Sequence, residues 1–213
     1  MVRVVGCTYE GAGIGDNKFG DFTWMVKQEQ YKKCLFLINE NFLHSIDDKA
    51  CEGAGTAKLR PLTFRFVQEP RAAGIPTGWS VSSGGFTDIN PLTKKAIDIA
   101  IDRIRYILVQ FKYDTIMFSA DSKDTKRIGM NIFTLPEVVI NYISASIQRL
   151  EEFNPDLHAI SATINIERVE RMERILIPHA IAIRDLARAK HRISKLEKDL
   201  SSRKRCRDVT CFW

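Results

Sequence analysis

Two short apolar runs, Cys34-Leu35-Phe36-Leu37-Ile38 and Thr115-Ile116-Met117-Phe118, constrain the fold more than any other feature of this sequence. Neither alternates polar with apolar residues, as a strand with one wet face would. Each therefore reads as a strand buried on both sides, the pattern of a parallel sheet covered by other layers. Between them, Asn90 stands before Pro91, a capping residue followed by the imino acid that suits a first helical turn. Ile97, Ile101, Ile104 and Leu108 follow at spacings of three and four, so Pro91 to Phe111 reads as a helix with one apolar stripe. A second helix is expected from Pro136 to Leu150, with Val139, Ile140, Ile143 and Ile147 inward. Strand and helix in alternation predict an α/β domain. The stretch from Pro61 to Asp88 is irregular, and Arg65-Phe66-Val67 and Trp79-Ser80-Val81 are its candidate short strands.

Asn154-Pro155-Asp156 interrupts this pattern and divides the chain into a domain at 1–153 and a helical tail at 154–213. In the tail, Ile175, Ile183, Leu186, Ile193, Leu196 and Leu200 recur at helical spacing, so Ile164 to Leu200 reads as helix. Pro178 predicts a kink there, or two helices. Strict heptads are not sustained. The net charge of +6 belongs to this region: Thr163 to Trp213 carries thirteen Lys and Arg against seven Asp and Glu. The rest of the chain is balanced. An isolated amphipathic helix is marginal in water, so the tail must pack on its own domain or on another copy, and a homo-oligomer through the C-terminal helices is expected. The basic cluster Arg203-Lys204-Arg205-Cys206-Arg207 also admits nucleic acid as a minor partner, although stacking aromatics are lacking until Phe212 and Trp213.

A content of 45% hydrophobic and 27% charged residues is that of a folded globular chain. No apolar stretch approaches membrane-spanning length, and the start is too short in apolar residues for a signal peptide. The five cysteines, Cys7, Cys34, Cys51, Cys206 and Cys211, are odd in number and scattered. They predict reduced thiols in a cytoplasmic protein, with no metal centre and no cofactor.

Three loops carry candidate chemistry. Gly11-Ala12-Gly13-Ile14-Gly15-Asp16 lacks the spacing of a dinucleotide fingerprint and reads as a flexible turn. Gly53-Ala54-Gly55 follows the first buried strand, and small residues let backbone amides approach an anion. Asn39 and Asn41 stand at the carboxyl end of that strand, where ligands of open α/β sheets bind, or else they satisfy loop backbone. Gly129-Met130-Asn131-Ile132-Phe133 leads from the second strand to the Pro136 helix, whose N-terminus is a ready anion site.

Taken in order, Gly20-Asp21-Phe22-Thr23, Leu35 to Asn41, Gly53-Ala54-Gly55, Tyr113 to Ala120 and Gly129 to Pro136 resemble the motifs of a macro domain over residues 20–150. The resemblance implies a three-layer α/β/α sandwich with a C-terminal helical extension, and ADP-ribose or a related nucleotide as ligand. It implies Asp21 at the adenine, with Phe22 beside it, and Asn39 or Asn41 at the distal ribose as the catalytic candidates. Gly53, Ala54 and Gly55 would line one phosphate, with Gly129, Met130, Asn131, Ile132 and Phe133 on the other side. Arg71 would serve an extra wall of the anion pocket. The chain departs from that family in the shortened Asn39-Glu40-Asn41, in Ala54 within the glycine loop, and in Asn131 where a glycine is usual. The activity implied is hydrolysis of an ADP-ribosyl bond, or binding without turnover. The alternative is a non-enzymatic assembly protein that oligomerises through its basic tail.

Overall fold

The structure, a computed structural model, describes residues 1–9, 17–47, 52–129, 134–157 and 159–210, with backbone alone at 159–165 and 201–210. Among the described residues, five strands form one sheet: β1 (Arg3–Cys7), β2 (Cys34–Asn41), β3 (Ala72–Ser80), β4 (Gly84–Gly85) and β5 (Thr115–Ser119). Their order is β1-β5-β2-β3-β4, parallel except for β4. The last strand thus inserts between the first two. The α-helices among the described residues are α1 (Phe22–Met25), α2 (Phe42–Ser45), α3 (Pro91–Phe111), α4 (Glu137–Gln148) and α5 (Ala159–Thr210).

Burial on both sheet faces follows the two apolar runs. In β2, Leu35 and Leu37 join α3, α4 and α5 in one core cluster, while Cys34, Phe36 and Ile38 join α1 and a 3-10 helix (Gly55–Leu62) in the other. Among the described residues, long helices cover one face, and α1 with short 3-10 turns covers the second. The architecture is mixed α/β.

Asn90 caps α3, accepting hydrogen bonds from the amides of Leu92 and Thr93, with Pro91 at the first helical position. The α4 helix ends at Gln148, and Arg149–Glu152 tighten into a 3-10 turn. β2 runs three residues beyond its apolar core, because Asn39 and Glu40 pair with Ile75 and Pro76 of β3 and, after a register shift, Asn41 pairs with Gly78. Within the irregular stretch, Arg65 and Phe66 form a turn rather than a strand, and the strand is β3, buried along all nine residues. Its Ala-Ala-Gly-Ile-Pro-Thr-Gly-Trp-Ser sequence carries three strand-breaking residues, each with a reason. A Cβ on Gly74 would lie 2.5 Å from the Glu40 carboxylate, and one on Gly78 would strike the Gly84 carbonyl. Pro76 lacks an N–H, and it falls where β3 pairs only with β2, before β4 joins at Gly78.

Of the two outcomes expected at Pro178, a kink or a division into two helices, the division does not occur. Helix α5 runs unbroken from 159 to 210 with Pro178 inside it. Leu176 and Ala180 both pack into the main core, so the same body holds the helix on either side of the missing hydrogen bond. Val169 joins them, and the buried Glu173 pairs with Arg65 and with Arg103 of α3. The first half of α5 therefore belongs to the core, and the second half leaves it. No helix among the described residues is long and apolar enough to cross a membrane.

Candidate functional site

At the carboxyl ends of β1 and β5 lies a half-open pocket of about 280 Å³, near the lower end of ligand-site sizes. Its described lining is Tyr9, Gly20, Asp21, Phe22, Thr23, Gly55, Thr56, Lys58 and Ser119.

Gly20 opens this site. Its φ of +90° suits glycine, and a Cβ there would collide with the Thr8 carbonyl. The chain leaving β1 can thus lie directly against the entry to α1. Asp21 is the N-cap of α1, its Oδ1 accepting from the amides of Thr23 at 3.0 Å and Trp24 at 3.3 Å. Its capping role fixes the carboxylate at the pocket wall. Phe22 is buried, its ring edge-on to Phe36 with centroids 5.1 Å apart, and this anchors the wall to the sheet.

The opposite wall comes from the loop before the 3-10 helix. Gly53 donates its amide to the Ala57 carbonyl at 3.1 Å, and Ala57 donates to Ala54 at 3.1 Å. A Cβ on Gly53 would lie 2.6 Å from that of Ala57, so the turn closes only around glycine. Two of the loop's amides are therefore committed to the turn itself. Gly55, at φ +57°, has open space around it and faces the pocket. Three residues further on, Lys58 brings a cation to the same wall.

Asn39 donates its amide to the Gly129 carbonyl at 2.8 Å, and Gly129 donates to Ser119 at 2.8 Å. These bonds tie the carboxyl ends of β2 and β5 into one rim. A Cβ on Gly129 would lie 2.5 Å from the Ala120 carbonyl, so the rim admits no side chain there. Asn41 caps α2, accepting from the His44 amide at 3.1 Å. Its amide nitrogen also meets His44 Nδ1 at 3.1 Å, which makes that ring nitrogen the acceptor. Burial, with Arg60 adding, holds the His44 pKa below its ordinary value and so favours this neutral form. Arg71 lies at the other end of the sheet, donating to the carbonyls of Tyr31 at 2.7 Å and Cys34 at 3.5 Å.

Of the residues singled out by sequence, Asp21, Phe22 and Gly55 thus come together in the lining. Gly53 and Ala54 shape the turn behind Gly55. Asn39 and Gly129 bind each other at the rim, while Asn41 and Arg71 bind elsewhere. Met130, Asn131, Ile132 and Phe133 lie outside the described residues, as do Gly11 to Asp16, Cys51, Phe212 and Trp213.

Sequence reasoning missed Lys58, Thr56, Ser119 and Tyr9. Only a lysine three residues after a glycine loop offered a local signal, and a weak one. It also missed the buried Glu40–Arg60 ion pair on the carboxyl half of β2. Burial pushes the Glu40 carboxyl up, against the pull of Arg60.

Chemically, the described pocket offers one carboxylate, one ammonium, and hydroxyls from Thr23, Thr56, Ser119 and Tyr9, whose ring is the exposed aromatic of the lining. Its described lining contains no histidine or cysteine. That inventory suits a ligand with an aromatic or sugar part and a negative part. No family model, no curated protein and no solved structure matches this chain.

Proposed function

We propose that this protein binds ADP-ribose or a related nucleotide in the pocket over β1 and β5, within a divergent macro-like three-layer fold. One observation carries the reading. Asp21 and Phe22, thirty-odd residues from Gly55 in the chain, meet it across a single pocket at the carboxyl edge of a parallel sheet. The Asp21 carboxylate accepts from an exocyclic amino group such as that of adenine, and the buried Phe22 anchors that wall to the sheet. Lys58 and the unobstructed backbone at Gly55 answer a phosphate on the other wall. Turnover would be hydrolysis of an ADP-ribosyl bond by a water that the ligand's own phosphate activates, with Asn39, at the rim, orienting the ribose. Binding without turnover needs only the pocket.

Calorimetric titration with ADP-ribose tests this with two variants chosen to leave the fold intact. Asp21→Asn keeps a good helix cap and removes the charge. Lys58→Ala removes the cation. Micromolar binding by the wild type, weakened about tenfold by either change, is the expected result. Absence of heat at millimolar ligand overturns the reading.

A further inference from the structure

Beyond the domain, the outer face of α5 carries a second apolar stripe. Ile175, Leu186, Ile193, Leu196 and Leu200 are each more than half exposed, and Ala182 and Ala189 continue the same line. The residues that hold α5 to the domain, Val169, Glu173, Leu176 and Ala180, lie roughly 150° around the helix from it, at 100° per residue. From Leu186 the spacing is that of a seam: Leu186, Ala189, Ile193, Leu196 and Leu200 alternate steps of three and four. A helix end that leaves its domain with such a stripe uncovered is marginal alone in water.

The flanking charges select the occupant. Asp185 and Arg192 precede two inner core positions of the seam, and Lys190 and Glu197 stand five residues after them. In a parallel, in-register pair of identical helices, residues so spaced face each other across the seam. Asp185 then meets Lys190 of the second copy, and Arg192 meets Glu197, each twice by symmetry. Both kinds of pair are of opposite charge. An antiparallel pair that buries the same stripe, Leu186 over Leu196, sets Asp185 against Asp199, Arg192 against Arg192 and Lys190 against Lys190. Sliding that pair by one heptad one way restores an Asp185–Arg192 contact but drives His179 against Leu196. Sliding it the other way pairs Arg192 with Asp199 and Lys190 with Glu197 but sets the charged residue Arg203 at the seam position facing Leu186.

We infer that the protein is a homodimer joined by a short parallel coiled coil of its α5 helices, from Leu186 to Leu200, so that two nucleotide-binding domains sit at the same end of one stalk. The interface lies apart from the pocket, and its existence does not depend on what the pocket binds.

Sedimentation equilibrium of the full chain tests the interface. The expected mass is twice the 24.3 kDa of one chain. Ile193→Asp returns the mass to one chain, with the far-ultraviolet circular dichroism and thermal transition of the domain retained. A wild type that stays monomeric at 100 µM overturns the proposal, and so does a dimer that survives Ile193→Asp. Orientation is read by charge exchange. Arg192→Glu weakens the dimer about tenfold, and adding Glu197→Arg restores it, since only the parallel pair joins these positions. A dimer that the second exchange fails to restore contradicts the parallel arrangement.

Discussion

At the scale of single residues, the small and the buried positions decide what the chain can do. Gly20 lets the exit of β1 touch the entry of α1, and Gly53 closes the turn beneath Gly55, so the two pocket walls owe their separation to absent side chains. Cys7 shows burial acting on chemistry. It lies at the end of β1, almost wholly buried, and burial with the neighbouring Cys34 pushes its thiol up to about 12 from an ordinary 9.0. A thiol raised in the folded state stabilises the fold in full below its unfolded value, and that stability is lost as the pH climbs from about 9 toward about 12. Urea denaturation at a series of alkaline pH values should therefore cost the wild type about 1.4 kcal/mol per pH unit more than Cys7→Ala. Parallel pH profiles for the two proteins would show that Cys7 titrates freely. The Cys34 thiol is raised by burial as well, and mass-spectrometric mapping of iodoacetamide-treated native protein at pH 8 should find both cysteines unmodified.

At the scale of elements, α5 is held by a buried charge as much as by apolar contact. Glu173 and Arg103 are withdrawn from water together by the packing of α5 on α3, and the partly exposed Arg65 reaches the same carboxylate. Removing the acid leaves two guanidinium groups without their counter-charge, so Glu173→Ala should lower stability by about 3–5 kcal/mol. Glu173→Gln, which keeps hydrogen bonding, should cost less, and urea midpoints distinguish the two. A midpoint unchanged in Glu173→Ala would mean that α5 is held by Val169, Leu176 and Ala180 alone. This element also shows how far local signals reach. Helix α3 and its Asn90 cap were legible because the stripe, the cap and Pro91 are neighbours in sequence. The buried strands β2 and β5 were legible because a five- or four-residue apolar run needs no partner to identify it. β3 was legible only at its end, Trp79 and Ser80, since Gly74, Pro76 and Gly78 read as breakers until Glu40, β4 and the sheet edge supply the reason for each. The division into two helices at Pro178 does not occur for the same cause: propensity is local, and the packing that outweighs it is not.

At the scale of the molecule, a neutral α/β body carries a pocket at the carboxyl edge of its sheet, and a basic helix leads away from it. The family resemblance pointed to Asp21 and Phe22, and the run of small residues pointed to Gly55. The sequence marked Lys58 only weakly, by its distance from the glycine loop, and was silent on Ser119, whose place in the lining comes from the insertion of β5 between β1 and β2, which no local pattern encodes. Asn39 and Arg71 illustrate the converse. Both are polar groups at strand ends, yet their donors go to backbone carbonyls of the body, and such satisfaction is invisible without the fold. The central claim is that a nucleotide occupies this pocket, and amide chemical-shift mapping with ADP-ribose tests it most directly. The account predicts saturable shifts concentrated at Gly20 to Thr23, Gly55 to Lys58 and Ser119, with α5 beyond Leu186 unaffected. No shifts at millimolar ADP-ribose, or shifts centred on the basic helix instead, would contradict it.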